Sequence, residues 1–347
     1  MPRFYEYELG KASDVLCREL FELKPGETFT VTADTESDPD VVDAIARAAF
    51  ACDAKPLVVW TASPLGVGKD ADPMLPVESL TALLKTTDAW VELNNKWLLY
   101  STPYDRALEE NKKLRHLCLV GVNADMMVRC IGRIDYAALG AFEDRITEMT
   151  FNAKHVRMTT PAGGDVEFDN SDWGQAVAEL GRASKPGSYF MAGQISWPID
   201  LESVNGTIVF DGSLVPPCIG VLSEPVALTI KRGEIVKVDG GPQAQQFDTW
   251  TKHFNHSRMR MLAHVCYGFN PGARLTGNIL EDERVWGATE WGIGHVSTDL
   301  YPGGIPGPSH SDGICLNTSV WLDGVQIMDR GQVLDTELAS LAKALGK

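Results

Sequence analysis

Basic charge is scarce in this 347-residue chain: 31 Lys and Arg stand against 47 Asp and Glu, a formal net charge of −16. A field of that sign repels phosphate backbones and anionic membrane surfaces, so neither nucleic acid nor a membrane is an expected partner. Long hydrophobic runs are missing too, none approaching the roughly 20 residues of a membrane span. The opening MPRFYEYELG carries charge where a secretory leader needs an apolar core. A cytoplasmic location is the expectation. Cys-x-x-Cys spacing occurs nowhere, and the seven cysteines (Cys17, Cys52, Cys118, Cys130, Cys218, Cys266, Cys315) are odd in number and scattered. That pattern excludes a disulfide framework and a structural zinc site, and reads as buried apolar thiols in a reducing compartment. A glycine-rich turn between strand and helix is also lacking, which removes the usual nucleotide sites. Gly66-Val-Gly-Lys69 lacks the upstream glycine and the following Ser or Thr of a phosphate loop, and reads as a surface loop.

What is present is ordinary globular composition, 44% hydrophobic and 22% charged, in a chain longer than one core usually serves. Two domains are expected, 1–150 and 151–347, with the boundary near 145–160. The first alternates strand and helix signals: Phe29 to Ala33 as a strand, Asp40 to Cys52 as an Ala-rich helix, Pro56 to Thr61 as the next strand. A helix over Pro76 to Lys85, a strand over Asp88 to Leu93 and the apolar run Leu117 to Val122 continue the pattern. The expected architecture is an open, largely parallel α/β sheet. After residue 150 the texture changes to short β-rich runs between Gly, Pro, Asn and Asp turns: His155 to Thr160, Gly206 to Asp211, and Val226 to Val238 with a hairpin turn at Arg232-Gly233. The second domain is therefore expected to be a strand-rich α+β unit.

Histidine is sparse, and five of the seven (His253, His256, His264, His295 and His310) fall late in the chain, in Gly- and Pro-rich sequence that also holds Glu281, Asp282, Glu283 and Glu290. In Pro308-Ser-His-Ser-Asp-Gly313, His310 and Asp312 are two apart, so on an extended segment imidazole and carboxylate share a face. A further histidine would complete a two-His-one-carboxylate set with open positions for substrate and O₂. His-x-Asp alone is equally a hydrogen-bonded pair on a surface turn. His264, in LAHVCYGFNPGA, ends an apolar run at an Asn-Pro-Gly turn, where ligand and core roles are both open.

Taken together, LAHVCYGFNPGA, ILEDERVWGATEWGIG and SHSDG resemble the C-terminal region of the aminopeptidase T-type metallopeptidases, and Gly193-Gln-Ile-Ser-Trp-Pro198 resembles their Gly-Glu-x-x-x-x-Pro segment. In those enzymes the corresponding segments assemble a two-metal site. Here Gln194 and His264 stand where the peptidases have metal-binding glutamates, and Glu290 where they have a histidine. A neutral amide is a poor ligand for a divalent ion, which points to a single metal. The departure is similar to the 2,5-dihydroxypyridine 5,6-dioxygenases, a mononuclear Fe(II) branch of the same fold. That resemblance implies a metal triad of His264, His310 and Asp312. KPGSYFMAGQISWP resembles that family's Pro-Gly and Trp-Pro landmarks, with Tyr189, Phe190 and Gln194 where its histidines lie between them.

The resemblance implies Fe(II), with Zn or Mn as alternatives, and a small aromatic or heterocyclic substrate opened with O₂ by a homo-oligomeric enzyme of aromatic degradation. Glu290 and His295 are the titratable candidates for moving the substrate's hydroxyl proton. Each also has a plain role, Glu290 as ligand or hydrogen-bond partner and His295 as a solvated side chain. Tyr189, Gln194, Trp197 and Tyr267 are expected at the substrate, with Trp286 and Trp291 as further aromatic candidates, since flat rings favour aromatic walls. The competing expectation is a metal-dependent hydrolase, an aminopeptidase or cyclic amidase, drawing carboxylates from Glu281, Asp282, Glu283 and Glu290. A non-catalytic binding protein on the same scaffold is the third.

Overall fold

The structure, a computed structural model, describes residues 5–347 apart from 173, 219, 297, 299 and 302. The chain forms two units, Met1–Ile134 with Glu179–Ala192, and Asp135–Ala178 with Gly193–Lys347. Where the sequence suggested one boundary near 145–160, the chain leaves the first unit at Ile134 and returns to it for 179–192. Two elements account for the difference. The helix Tyr136–Asn152 buries Phe142 and Ile146 in the second unit's core. The strand Gly187–Phe190 pairs in parallel with Arg115–Cys118 of the first.

The first unit is built on a parallel sheet whose strands run in the order Lys55–Thr61, Thr28–Asp34, Ala89–Glu92, Arg115–Cys118, Gly187–Phe190. The central strands are buried along their whole length, as expected where helices cover both faces of a parallel sheet. The helix Pro39–Phe50 starts where the Asp38 carboxylate accepts the Asp40 N–H, with Pro39 at a position whose N–H would have no partner in the helix. Its Val41, Val42, Ile45, Ala48 and Ala49 form the buried stripe that holds it to the unit. The apolar run from Leu117 is strand only as far as Cys118, because the chain turns at once with Val122 N–H donating to the Leu119 carbonyl. Among the described residues no helix is long and apolar enough to cross a membrane.

The second unit holds two antiparallel sheets. One contains the hairpin Val226–Lys231/Glu234–Gly240, turned through Arg232 (φ 48°) and Gly233 (φ 72°) as the sequence suggested. In the other, Leu214–Val215, Ile305–Cys315, Ala288–Val296, Leu262–Gly268 and Gln194–Trp197 lie side by side in that order. Alternation sends Ile195, Trp197, Val265, Tyr267, Trp291 and Ile293 to one face, where they join a core with Phe168, Ile208 and Phe210 of the first sheet. Phe168 meets Trp291 edge-on at 5.5 Å. Trp291, 1% exposed, is a large part of that core. Trp291→Ala is expected to cost about 3–5 kcal/mol of stability, read as a lower denaturant midpoint at unchanged slope.

Candidate metal centre

The face of the second sheet opposite this core carries the chemistry, and strand register puts it there. His264 is paired with Gly292, and Gly292 with Asp312; Cys266 is paired with Glu290, and His310 with Gly294. His264 and Cys266, Glu290 and Gly292, and His310 and Asp312 therefore share one surface across three adjacent strands. Gly292 lies between the two ligand strands, and a Cβ built on it would come within 2.4 Å of His264 Cε1. Only the bare backbone leaves room for the imidazole.

The ligand atoms of His264, His310 and Asp312 all lie within 4.8 Å of one another. His264 Nε2 is 3.6 Å and His310 Nε2 2.7 Å from Asp312 Oδ1, and the two rings stack at 5.1 Å. His310 Nδ1 lies 2.8 Å from the His295 carbonyl, an acceptor only, so Nδ1 carries the proton and Nε2 presents its lone pair to the centre. Two imidazole nitrogens and a carboxylate oxygen converging on one point, with the outer ring nitrogen anchored, fit a divalent metal ion by donor type and by number. A second group, His264, Cys266 and Glu290, overlaps the first at His264.

Three carboxylates surround this point, Glu290 buried and Asp312 and Glu283 partly so, and their charges are unequal. Burial works to raise Glu290, but His264 Nε2 at 2.7 Å from its Oε1 holds it down at about 2. Burial pushes Asp312 well up, and the neighbouring Glu290 charge pushes it further. Glu283 goes up to about 8, chiefly through burial, against the pull of Arg284. Burial lowers His310, keeping it in the neutral form a ligand needs, whereas at His264 the Glu290 charge outweighs burial and raises the pKa.

Of the residues singled out in the sequence, His264, His310, Asp312, Glu290 and Gln194 come together. Gln194 Nε2 donates to Glu290 Oε2 at 3.0 Å and to Glu283 Oε2 at 3.1 Å. His295 is exposed, and its backbone carbonyl, rather than its ring, is what touches the ligand set. Trp197 and Tyr267, expected beside the substrate, are sealed in the core at 1% and 0% exposure with rings 4.6 Å apart. Period-two alternation is the reason: Tyr267 is one residue out of phase with Cys266 and Trp197 three with Gln194, so both face away from the site. Trp291 and Trp286 also pack with core residues, Trp286 against Phe142 and Phe269. Tyr189 sits on the edge strand of the first unit's sheet, its hydroxyl 3.4 Å from the Pro186 carbonyl. Sequence reasoning gave no role to Gly292, and none of this kind to Arg284 or Cys266. The Gly-x-Gly in TEWGIG was the available signal for the glycine; for Arg284 there was none.

The family model described as 2,5-dihydroxypyridine 5,6-dioxygenase matches residues 15–335. A curated protein of that name from Pseudomonas putida KT2440 is 29% identical over 134 residues, a stretch spanning 38% of this chain and 38% of that protein. A solved structure of 2,5-dihydroxypyridine dioxygenase from P. putida KT2440 superposes with a TM-score of 0.75 at 19% identity, covering 96% of this chain and 99% of the other. AmpT from Thermus thermophilus superposes with a TM-score of 0.67 at 15% identity, covering 95% of this chain and 100% of the other. These two likenesses establish the fold, a parallel α/β sheet with strand-rich antiparallel sheets as in aminopeptidase T. The matched range takes in both units and every residue of the centre, and the chain belongs to the 2,5-dihydroxypyridine 5,6-dioxygenase family.

Proposed function

We propose that this chain is a mononuclear, non-haem Fe(II) dioxygenase that opens the ring of a hydroxylated N-heterocycle such as 2,5-dihydroxypyridine. The observation carrying this reading is the convergence of His264 Nε2, His310 Nε2 and Asp312 Oδ1 on one point of the sheet. Fe(II) held there would act as a template for ring and O₂ and as a conduit for electrons between them. Two neutral imidazoles and one carboxylate leave such an ion a net positive charge, which favours an anionic, deprotonated ring hydroxyl.

The chain's own groups then manage orientation and protons. His310 Nδ1–H on the His295 carbonyl keeps Nε2 aimed at the centre. Glu290 Oε1 lies 2.7 Å from His264 Nε2, while its Oε2 is held by Gln194. In this reading His264 Nε2 serves as a ligand rather than as the partner that lowers Glu290, and the freed Glu290 carboxylate takes the substrate's hydroxyl proton. The His295 imidazole, though exposed, is lowered by partial desolvation and by the Arg258 charge, and is the second proton acceptor considered. Opening the ring beside the hydroxyl-bearing carbon, with both oxygen atoms of O₂ retained, gives an N-formyl amide acid from a dihydroxypyridine.

The test is anaerobic loading with Fe(II), then O₂ uptake on mixing with 2,5-dihydroxypyridine and related N-heterocycles. One O₂ consumed per ring opened is the expected result. Aminopeptidase turnover with Zn²⁺ or Co²⁺, combined with no O₂ uptake on any hydroxylated N-heterocycle, would overturn the reading in favour of a hydrolase.

A further inference from the structure

Two candidate ligand groups share His264, one completed by His310 and Asp312 and the other by Cys266 and Glu290. On ligand atoms alone the sheet offers places for two ions. An ion at the second place would draw on Glu290, and on Glu283 beyond it, for anionic donors.

Arg284 already holds Glu283, and it holds Gln194, which bonds to Glu290. Its side chain is fully buried, with Nη1 donating to Glu283 Oε2 at 2.9 Å and to the Leu280 carbonyl at 2.7 Å, and Nη2 donating to Gln194 Oε1 at 2.9 Å. The backbone places it: Asn270 N–H, just after the His264 strand, donates to the Arg284 carbonyl at 2.9 Å. A guanidinium has donors only, so the Gln194 amide must turn its oxygen toward Arg284 and its NH₂ toward Glu283 and Glu290. Both carboxylates thus accept from Gln194 on the side away from His264, and the cluster contains a permanent positive charge. A buried guanidinium repels a second cation strongly, because little solvent screens it.

We propose that Arg284 sets the metal count at one: it acts as the resident cation of the carboxylate cluster and, by orienting Gln194, closes the His264–Cys266–Glu290 group to a second ion. This rests on the one-metal reading above. It adds that the amide at 194 is not by itself what excludes the second ion. A glutamate at 194 would pair with the Arg284 fork and leave the cluster as closed as before.

The probe is Mn²⁺, loaded anaerobically and dialysed, with metal per chain measured by mass spectrometry and the spin state by electron paramagnetic resonance. Wild type, Gln194→Glu, and Gln194→Glu with Arg284→Lys are each expected to hold one ion with an isolated-ion spectrum. Gln194→Glu with Arg284→Met is expected to hold two, with the spectrum of a coupled pair, which a merely structural role for Arg284 would not produce. Two ions in Gln194→Glu, or one in a folded Arg284→Met double variant, would overturn the inference. Should the Met variant fail to fold by circular dichroism, the count in Gln194→Glu still decides, one ion supporting and two refuting. A wild-type count other than one overturns the one-metal reading and this inference with it.

Discussion

Asp312→Ala and His310→Ala are each expected to reduce Fe(II) affinity by more than the roughly 10–100-fold usual for losing an outer-sphere partner, leaving dialysed protein with almost no iron. Each change removes one of three converging donors, and Asp312 is the anionic member of that set. A divalent ion left with two imidazoles in a partly buried site has lost its charge compensation. His264→Ala should act alike, because the two candidate ligand groups share that ring. Metal analysis of the folded variants is the check, and full occupancy in any one of them would remove that residue from the ligand set. O₂ uptake should fall in step with iron content.

Gly292→Ala is expected to abolish tight metal binding without touching any ligand. The added methyl would come within 2.4–2.7 Å of three atoms of the His264 ring, distances that no side-chain carbon tolerates. The imidazole must swing off the sheet, or the strand must move, and overpacking of this kind costs about 1–3 kcal/mol. The protein should therefore still fold, with a modestly lower melting temperature and an iron content near that of His264→Ala. Unchanged iron content would mean that His264 binds from a different rotamer. The 2.7 Å contact between His264 Nε2 and Glu290 Oε1 should be lost with the same movement.

These two expectations come from different levels of the structure. The three converging side chains were legible in the sequence because their neighbours are: His-x-Asp in a Gly- and Pro-rich stretch, and a histidine closing an apolar run before Asn-Pro-Gly. Period two alone places His310 and Asp312 on one face of a strand. Gly292 was not legible as a site residue, because a glycine in a strand signals close approach without saying what approaches. Only the register His264–Gly292–Asp312 identifies the ring above it.

Local physics was enough for the rest of what the sequence by itself determined. Strand and helix alternation marked a parallel sheet over about residues 1–150, where the first unit takes Met1–Ile134, the hairpin at Arg232-Gly233 followed from alternating flanks, and the acidic balance argued against polyanionic partners. Tertiary structure decided what depends on distant pairing. The strand Gly187–Phe190 joins the first unit's sheet, and the helix Tyr136–Asn152 belongs to the second unit, through contacts that no local pattern encodes. Trp197 and Tyr267 went to the core rather than the site because a one-residue phase, fixed by pairing with neighbouring strands, assigns each side chain its face. Arg284 became the cation of the carboxylate cluster for the same kind of reason. Its partner Gln194 is 90 residues away in the chain, and the carboxylate cluster it serves exists only once the fold brings Glu283 and Glu290 onto that amide.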